Sequence, residues 1–212
     1  MAKIGYLFLR KGIWNGRQIV SPEWVAESTK AQVTGGLVLG SGYGYQWWRG
    51  KTVINNRGIE TFYAAGRGGQ YIFVVPSLDT IAVFTSEPYN NSPAGEFRPH
   101  VMMVKYLIPA MLPPAPPQKT TKIDREILDA FVGNYLLKGQ GVKMRVFIKD
   151  EALHFKTMGQ KVELHPETKD RFFGAMKDVG EIKVAFIRNE RGEVQNLDVA
   201  IGFGCLRYER IK

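Results

Sequence analysis

Residues 62–87 read FYAAGRGGQYIFVVPSLDTIAVFTSE, and the reading of the whole chain starts there. YIFVV and TIAVF are short β-branched and aromatic runs of the kind that form strands. Pro76-Ser77-Leu78-Asp79 between them is turn chemistry, with a proline that presets one backbone angle and an aspartate that tolerates a tight bend. FYAA, ahead of them, reads as a third strand, and three glycines crowd around Arg67 where it hands over to YIFVV. Glycine at the mouth of a hairpin lets another chain or a ligand approach the backbone closely. A row of unobstructed N–H groups there can hold a developing oxyanion. The same glycines also fit a wide, bulged turn with no further role. Both readings stand on these residues alone.

Working outward, the first half mixes helix and strand. Ile4, Leu7, Phe8 and Lys11 fall at helical spacing, with Gly12 as a stop. IWNGRQIV carries an Asn15-Gly16 hairpin turn. Ser21-Pro22-Glu23 is a helix start, with a hydroxyl cap, a proline in the first turn and an acid near the positive end of the dipole, and the helix is predicted to run to about Lys30. YGYQWWRG and GIETFYAA precede the two strands already named. Trp47 and Trp48 alternate, so they face opposite sides of a strand; either one lies in the core and the other is exposed or at an interface, or both cover the sheet, since aromatics fill cores by default. RPHVMMVKYLIPAML closes this half as a helix in which Pro99 suits the first turn and Pro109 requires the helix to be finishing.

MLPPAPPQKTTK holds four prolines and no apolar periodicity, which makes it an extended linker. The domains expected are therefore 1–112, a linker at 113–122, and 123–212. The second half opens with IDREILDAF, a short helix capped by Asp124. Strand-like runs follow: VKMRVFIK, ALHFKTM, KVELHP, RFFGA, EIKVAFIR, EVQNLDVAI and CLRYERI. Short connections and apolar/charged alternation predict a closed barrel or sandwich of seven or eight antiparallel strands.

The balance of 29 Lys+Arg against 20 Asp+Glu leaves a net charge of +9 over 212 residues. The basic residues alternate with acidic ones along the predicted strands. That is a solvated β surface rather than a stripe for nucleic acid, so no nucleic-acid partner is expected. No apolar run reaches the roughly 18 residues of a membrane span, and MAKIGYLFLRKG lacks the charge order of a secretory signal. The single cysteine, Cys205, excludes an internal disulfide and reads as a small buried hydrophobe.

Candidate chemistry thins out on inspection. RGKT at residues 49–52 lacks the upstream glycine and the following helix of a phosphate loop, and reads as a β-turn. His100, His154 and His165 have no metal-ligand spacing, so they read as structural or surface residues with neither metal nor cofactor expected. G-x-S-x-G is absent, and no serine is followed by lysine three positions on. Tyr89-Asn90-Asn91 matches Tyr-x-Asn by letters only.

The order of features in residues 1–112 resembles the C-terminal portion of the serine β-lactamase-like hydrolases. These include class C β-lactamases, penicillin-binding DD-peptidases, related esterases and 6-aminohexanoate-dimer hydrolases. MAKIGYLFLRKGIWNGRQIVSPEWVAES, YGYQWW, FYAAGRGGQYIFVVPSLDTIAVFTS and VMMVKYLIPAM carry the resemblance. ILDAFVGNY and GEVQNL resemble the small β-rich domain that follows in many members. The fold implied is α+β, with helices packed on an antiparallel sheet as a partial β-lactamase-like fold, then a mostly antiparallel barrel-like domain.

In that family a Lys/His-[Thr/Ser/Gly]-Gly triplet lines the site, and the N–H of the next residue is half of the oxyanion hole. One register puts the triplet at Ala64-Ala65-Gly66 and the donor at the Arg67 N–H, with Gly68, Gly69 and Gln70 against the substrate. A shifted register puts the triplet at Arg67-Gly68-Gly69 and the donor at Gln70. The first lacks the family's cation, which counts against β-lactam turnover. The resemblance also implies that the nucleophilic serine, its lysine and the tyrosine base lie upstream of Met1. The chain is then expected to be inactive alone, as part of a periplasmic or extracellular parent that acts on a small-molecule or peptide-like amide or ester. With no upstream strand beside residues 80–86, that edge is expected to self-associate. The alternative is a non-catalytic module that binds a ligand or protein through GYGYQWW and the glycine loop.

Overall fold

The computed structural model describes residues 1–34, 42–55, 57–86, 98–114, 120–138, 140–177 and 180–211. Tyr89 and the middle of the proline-rich segment, residues 115–119, lie outside them. The chain divides into two compact units, Met1–Ala115 with Gly202–Gly204, and Pro116–Ile201 with Cys205–Lys212. Among the described residues no helix is long and apolar enough to cross a membrane.

The first unit is built on a six-stranded antiparallel meander. Its strands are β3 (Val33–Thr34), β4 (Gly42–Tyr43), β5 (Trp48–Ile54), β6 (Arg57–Gly66), β7 (Gln70–Val75) and β8 (Thr80–Phe84), paired in chain order. A small hairpin, β1 (Ile13–Trp14) and β2 (Arg17–Gln18), turns through Asn15 and Gly16, both at positive φ.

Alternation along β6 and β7 buries both faces of the sheet rather than one. Ile59, Tyr63, Tyr71, Phe73 and Val75 enter one core with Met103, Ile108 and Phe203. Phe62, Ile72 and Val74 enter the other with Trp47, against which Phe8 and Leu9 pack. Helix α1 (Ala2–Leu9) covers this second face. It lies close because residue 5 is glycine: a Cβ there would come within 2.8 Å of the Ile72 Cγ2. Helix α2 (Pro22–Thr29) starts as the sequence predicts, with the Ser21 hydroxyl accepting from the Trp24 N–H at 3.1 Å.

Helix α3 covers the first face in three consecutive segments, Arg98–Met102, Met103–Leu107 and Ile108–Met111. The middle one is a π-type turn. Pro109 has no N–H to give to an i−4 carbonyl, and the widened turn before it accommodates that loss.

One expectation changes here. RGKT is neither a phosphate loop nor a turn but the middle of β5, paired residue by residue with β6 from Arg49↔Phe62 to Thr52↔Ile59. Trp47 and Trp48 face opposite ways and both are covered, Trp47 in one core and Trp48 packed against the other, the second of the two expected arrangements.

The second unit is a closed eight-stranded barrel. Helix α4 (Arg125–Asp129) leads into β9 (Gly133–Leu137), β10 (Val142–Lys149), β11 (Ala152–Thr157), β12 (Gln160–Thr168), β13 (Arg171–Met176), β14 (Gly180–Arg188), β15 (Val194–Ile201) and β16 (Gly204–Ile211). The short β9, which strand patterning passed over, closes the ring between β10 and β16. Asp124 holds the cap position of α4 without a side-chain hydrogen bond.

Inward residues such as Val146, Phe155, Leu164, Phe172, Val184 and Leu197 are almost fully buried. Phe131 fills one end, stacked on Phe186 at 4.1 Å and edge-on to Phe172 at 5.5 Å. Its carbonyl accepts from the Tyr135 hydroxyl at 2.8 Å, and Arg210 donates to the carbonyls on either side, Ala130 and Val132. Cys205 corrects a second expectation. It is exposed on β16, because Gly204 and Tyr208 take the buried positions of that strand. Partial burial, with the Asp198 carboxylate second, raises its thiol pKa, which disfavours the reactive thiolate.

Truncating Phe131 to alanine is expected to cost the barrel about 3–5 kcal/mol by leaving a cavity beside the Phe172 and Phe186 rings, whereas leucine costs about 1 kcal/mol. Urea unfolding followed by near-UV circular dichroism measures both. An alanine variant within ~0.5 kcal/mol of the parent would show that the ring does not organise the barrel end.

Candidate functional site

The glycine turn closes the β6–β7 hairpin. Ala64 pairs with Ile72, Ala65 with Tyr71 and Gly66 with Gln70, leaving residues 67–69 as the loop. Gly68 and Gly69 have φ of +90° and +79°, a backbone region that side chains strain to enter. The Gly69 N–H donates to the Gly66 carbonyl at 3.3 Å. Among the described residues no backbone carbonyl accepts the Arg67 N–H or the Gly68 N–H, while the Arg67 side chain is exposed. Such backbone donors at a strand end are of the kind that holds an anion or a polarised carbonyl oxygen.

Ser86, just past β8, pins the loop. Its hydroxyl lies 3.0 Å from the Gly68 carbonyl and 3.1 Å from that of Gly69, and its own carbonyl accepts from Gln70 Nε2 at 2.7 Å. Gln70, expected against the substrate, therefore has its amide nitrogen engaged in holding the turn to the end of β8. A Cβ on Gly68 would stand 3.2 Å from Gln70 Oε1, so the two positions are matched. Sequence reasoning did not single out Ser86. Its only signal is a hydroxyl after the strand, and nothing local ties it to glycines 17 and 18 positions away.

Ala64 and Ala65 lie on opposite faces of β6. Ala64 packs with the core under α1, and Ala65 with the core under α3. A ligand over the α1 face at Gly66 meets Ala64 and not Ala65.

Behind Ala65 sits a cage of rings. His100 is edge-on to Tyr63, Tyr71 and Phe73 at 4.8, 5.2 and 5.2 Å, with Phe203 at 5.6 Å. Burial lowers the His100 pKa to about 4 and, with the Tyr71 charge second, raises that of Tyr63 far above its ordinary value. The Tyr63 hydroxyl is buried with no hydrogen-bond partner among the described residues. His100 is thus a neutral ring at ordinary pH. His154 is buried differently, stacked on Phe147 at 5.6 Å with Nδ1 3.1 Å from the Ala152 carbonyl.

A cleft of about 770 Å³ opens on the α1 face toward the start of β6. Phe8, Leu9, Val25 and Phe62 give it apolar walls, with Arg49 and Glu60 among its polar lining. Arg49 Nη2 stands 3.2 Å from Glu60 Oε2, and Lys51 reaches the same carboxylate at 3.6 Å. Nearer the surface, Trp24 stacks on Tyr45 at 5.4 Å with both rings half exposed. Sequence reading missed the cleft because α1, α2 and β6 are far apart along the chain.

The sequence profile of a domain of unknown function, DUF3471, matches residues 117–209. No curated protein matches the chain. Among solved structures it is similar to SurE, crystallised with D-Leu, at a TM-score of 0.50 and 15% identity over 95% of this chain and 48% of that one. A second SurE structure aligns at 0.48 and 17% identity, covering 99% of this chain and 47% of that one. An octameric penicillin-binding protein homologue from Pyrococcus abyssi aligns at 0.35 and 18% identity, covering 95% and 44%. The chain spans about half the length of these proteins. At such identities the SurE likeness is one of fold.

The cage makes a pH prediction. The unfolded chain protonates His100 below about pH 6.5, the folded one only below about 4. Between those values the unfolded state binds more protons, so stability falls as pH is lowered through the window, by up to about 3 kcal/mol. Urea titrations of the parent and of His100→Phe at pH 7 and pH 4.5 measure this. An unchanged pH slope in the phenylalanine variant would rule out His100 as its source.

Proposed function

We propose that this chain is the C-terminal part of a serine hydrolase of the β-lactamase and penicillin-binding-protein type, carried by a parent exported to the periplasm or cell exterior. The observation that carries the reading is the Arg67 N–H, directed from a loop that two positive-φ glycines shape and Ser86 pins. The SurE likeness in fold, over about half of that protein's length, supports it.

In the intact enzyme a serine upstream of Met1 attacks the carbonyl carbon of a small-molecule or peptide-like amide or ester, giving up its proton to an upstream base. The carbonyl electron pair moves onto oxygen, and the Arg67 N–H and the serine's own N–H hold the resulting oxyanion. Collapse expels the amine or alcohol, which takes the proton from that base, and water, giving its own proton to the base, then releases the acyl group. Gly66 and Ala64 border the carbonyl, Gly68 and Gly69 set the donor's direction, and Gln70 and Ser86 keep the turn in place. Alone, the chain has the donor and no nucleophile, so it forms no acyl-enzyme.

A second reading, a ligand-binding module without turnover, draws on the cleft under α1 and α2 and the exposed Trp24–Tyr45 pair. A saturable ligand that is never transformed would favour it.

The test joins the chain to the codons upstream of Met1 and treats both forms with a fluorophosphonate. The long form is expected to gain one adduct by intact mass, at the serine of an upstream Ser-x-x-Lys, and the 212-residue chain none. In the long form Gly68→Ala is expected to lower kcat about tenfold or more with little change in KM, while Arg67→Ala, which keeps the N–H, leaves kcat within about threefold. An upstream sequence without a nucleophilic serine, or an adduct on the short chain, would overturn the proposal.

A further inference from the structure

The hairpin that joins β11 to β12 turns through Met158 and Gly159, at φ of +46° and +78°. Thr157 pairs with Gln160 across it, so the loop has two residues, both in the left-handed region. Such a loop prefers Asn-Gly, and the chain uses that pair at Asn15 and Gly16, at +49° and +75°. Among the described residues every other non-glycine residue at positive φ is polar or charged; Met158 alone is apolar. It is also 81% exposed, more than any other large hydrophobic among them. A single exposed apolar side chain is ordinary. One that strains the backbone to stand at a hairpin tip, and gains little packing there, breaks a local rule of the kind that function explains.

Cations gather behind that tip. The row across β9 to β12 runs Asn134, Arg145, Lys156, Lys161, each paired with the next and none of them acidic. Lys143, two residues before Arg145, shares its face of β10. All four cations are exposed. Like charges directly opposite one another destabilise a sheet, yet this row keeps three in succession. Glu163, two residues beyond Lys161, lies between two imidazoles instead, 3.8 Å from His154 Nε2 and 3.8 Å from His165 Nδ1. Lys161 stands over the Phe147 ring, 5.8 Å from its centre. Each strand read alone mixes charges; only the register across three strands collects the cations beside Met158.

We propose that this hairpin docks the barrel on an anionic phospholipid surface, with Met158 at the boundary of headgroups and acyl chains and Lys143, Arg145, Lys156 and Lys161 against lipid phosphates. An apolar residue flanked by long basic side chains suits that boundary, because the apolar part leaves water while the charged heads stay in it. The cations select an anionic surface over a neutral one. A soluble polyanion would engage the cations and gain nothing from Met158, which is why the pairing of the two points to lipid. The contact is peripheral and reversible, with no segment crossing the membrane. It involves a barrel whose ring of strands is closed, and it stands whether or not the hydrolase reading holds.

The 212-residue chain is expected to cosediment with vesicles of equal parts phosphatidylglycerol and phosphatidylcholine, not with phosphatidylcholine alone, and less as salt rises. Each cation at an anionic surface raises partition about fivefold, so Lys156→Gln with Lys161→Gln is expected to weaken binding about 25-fold. Met158→Asn is expected to weaken it about tenfold while raising resistance to urea, because asparagine suits the turn. A merely structural methionine would move stability the other way. In the parent, the anionic vesicles are expected to slow peroxide oxidation of Met158 to its sulfoxide, read by peptide mass. Equal binding to both kinds of vesicle, or to neither, overturns the proposal. So does binding indifferent to the lysine changes, a Met158→Asn variant that binds as the parent does or is less stable, or a chain that takes up inorganic polyphosphate but no vesicles.

Discussion

The two-sided burial of the β6–β7 hairpin is the constraint on which the rest of the first unit depends. A strand covered on one face needs every second residue apolar; one covered on both needs nearly all of them. YIFVV meets that demand, and its residues divide by parity into the core under α3 and the core under α1. Both helices are therefore required, and a hydroxyl in the middle of either strand is costly to bury without a partner. Thr61 has one, its hydroxyl donating to the Val74 carbonyl at 2.7 Å.

The glycine turn inherits its geometry from that hairpin. Paired strands hold Gly66 opposite Gln70, so three residues must reverse the chain, and two of them take positive φ. Such a loop is mobile unless tied down, and Ser86 ties it through two carbonyls while Gln70 ties Ser86 in return. The candidate donor at Arg67 is thus oriented by a closed set of hydrogen bonds rather than by its own side chain, as a preorganised oxyanion donor needs to be. Away from the turn, the cage around His100 excludes water so thoroughly that burial favours the neutral imidazole.

In the barrel the same alternation has a simpler outcome, because one face is core and the other is solvent. KMRVFIK and KVAFIR show it in the letters, and inward Val146, Phe155 and Val184 follow from it. β9 escaped notice because GNYLL is too short to display a period, and it becomes a strand only because β10 and β16 supply partners on both sides. RGKT in β5 is the converse case. Its glycine and charges look like a turn, yet Gly50 sits where a Cβ would come within 2.6 Å of Phe203, and Arg49 and Lys51 share Glu60 across the strand pair.

What the residues by themselves determined is everything that depends on near neighbours: the Ser21 cap, the Asn15-Gly16 turn, the Gly12 stop, the strand runs and the glycine loop. Each is a preference of the backbone over a few positions, and it survives whatever the rest of the chain does. Only the tertiary structure decided that Ser86 holds the glycine turn, that Cys205 is exposed and His100 buried, and that Gln70 turns its amide inward to the loop. Those outcomes depend on which surfaces meet across tens of residues, and the free energy of that meeting comes from apolar area, ring packing and carbonyl partners that no local window of sequence contains.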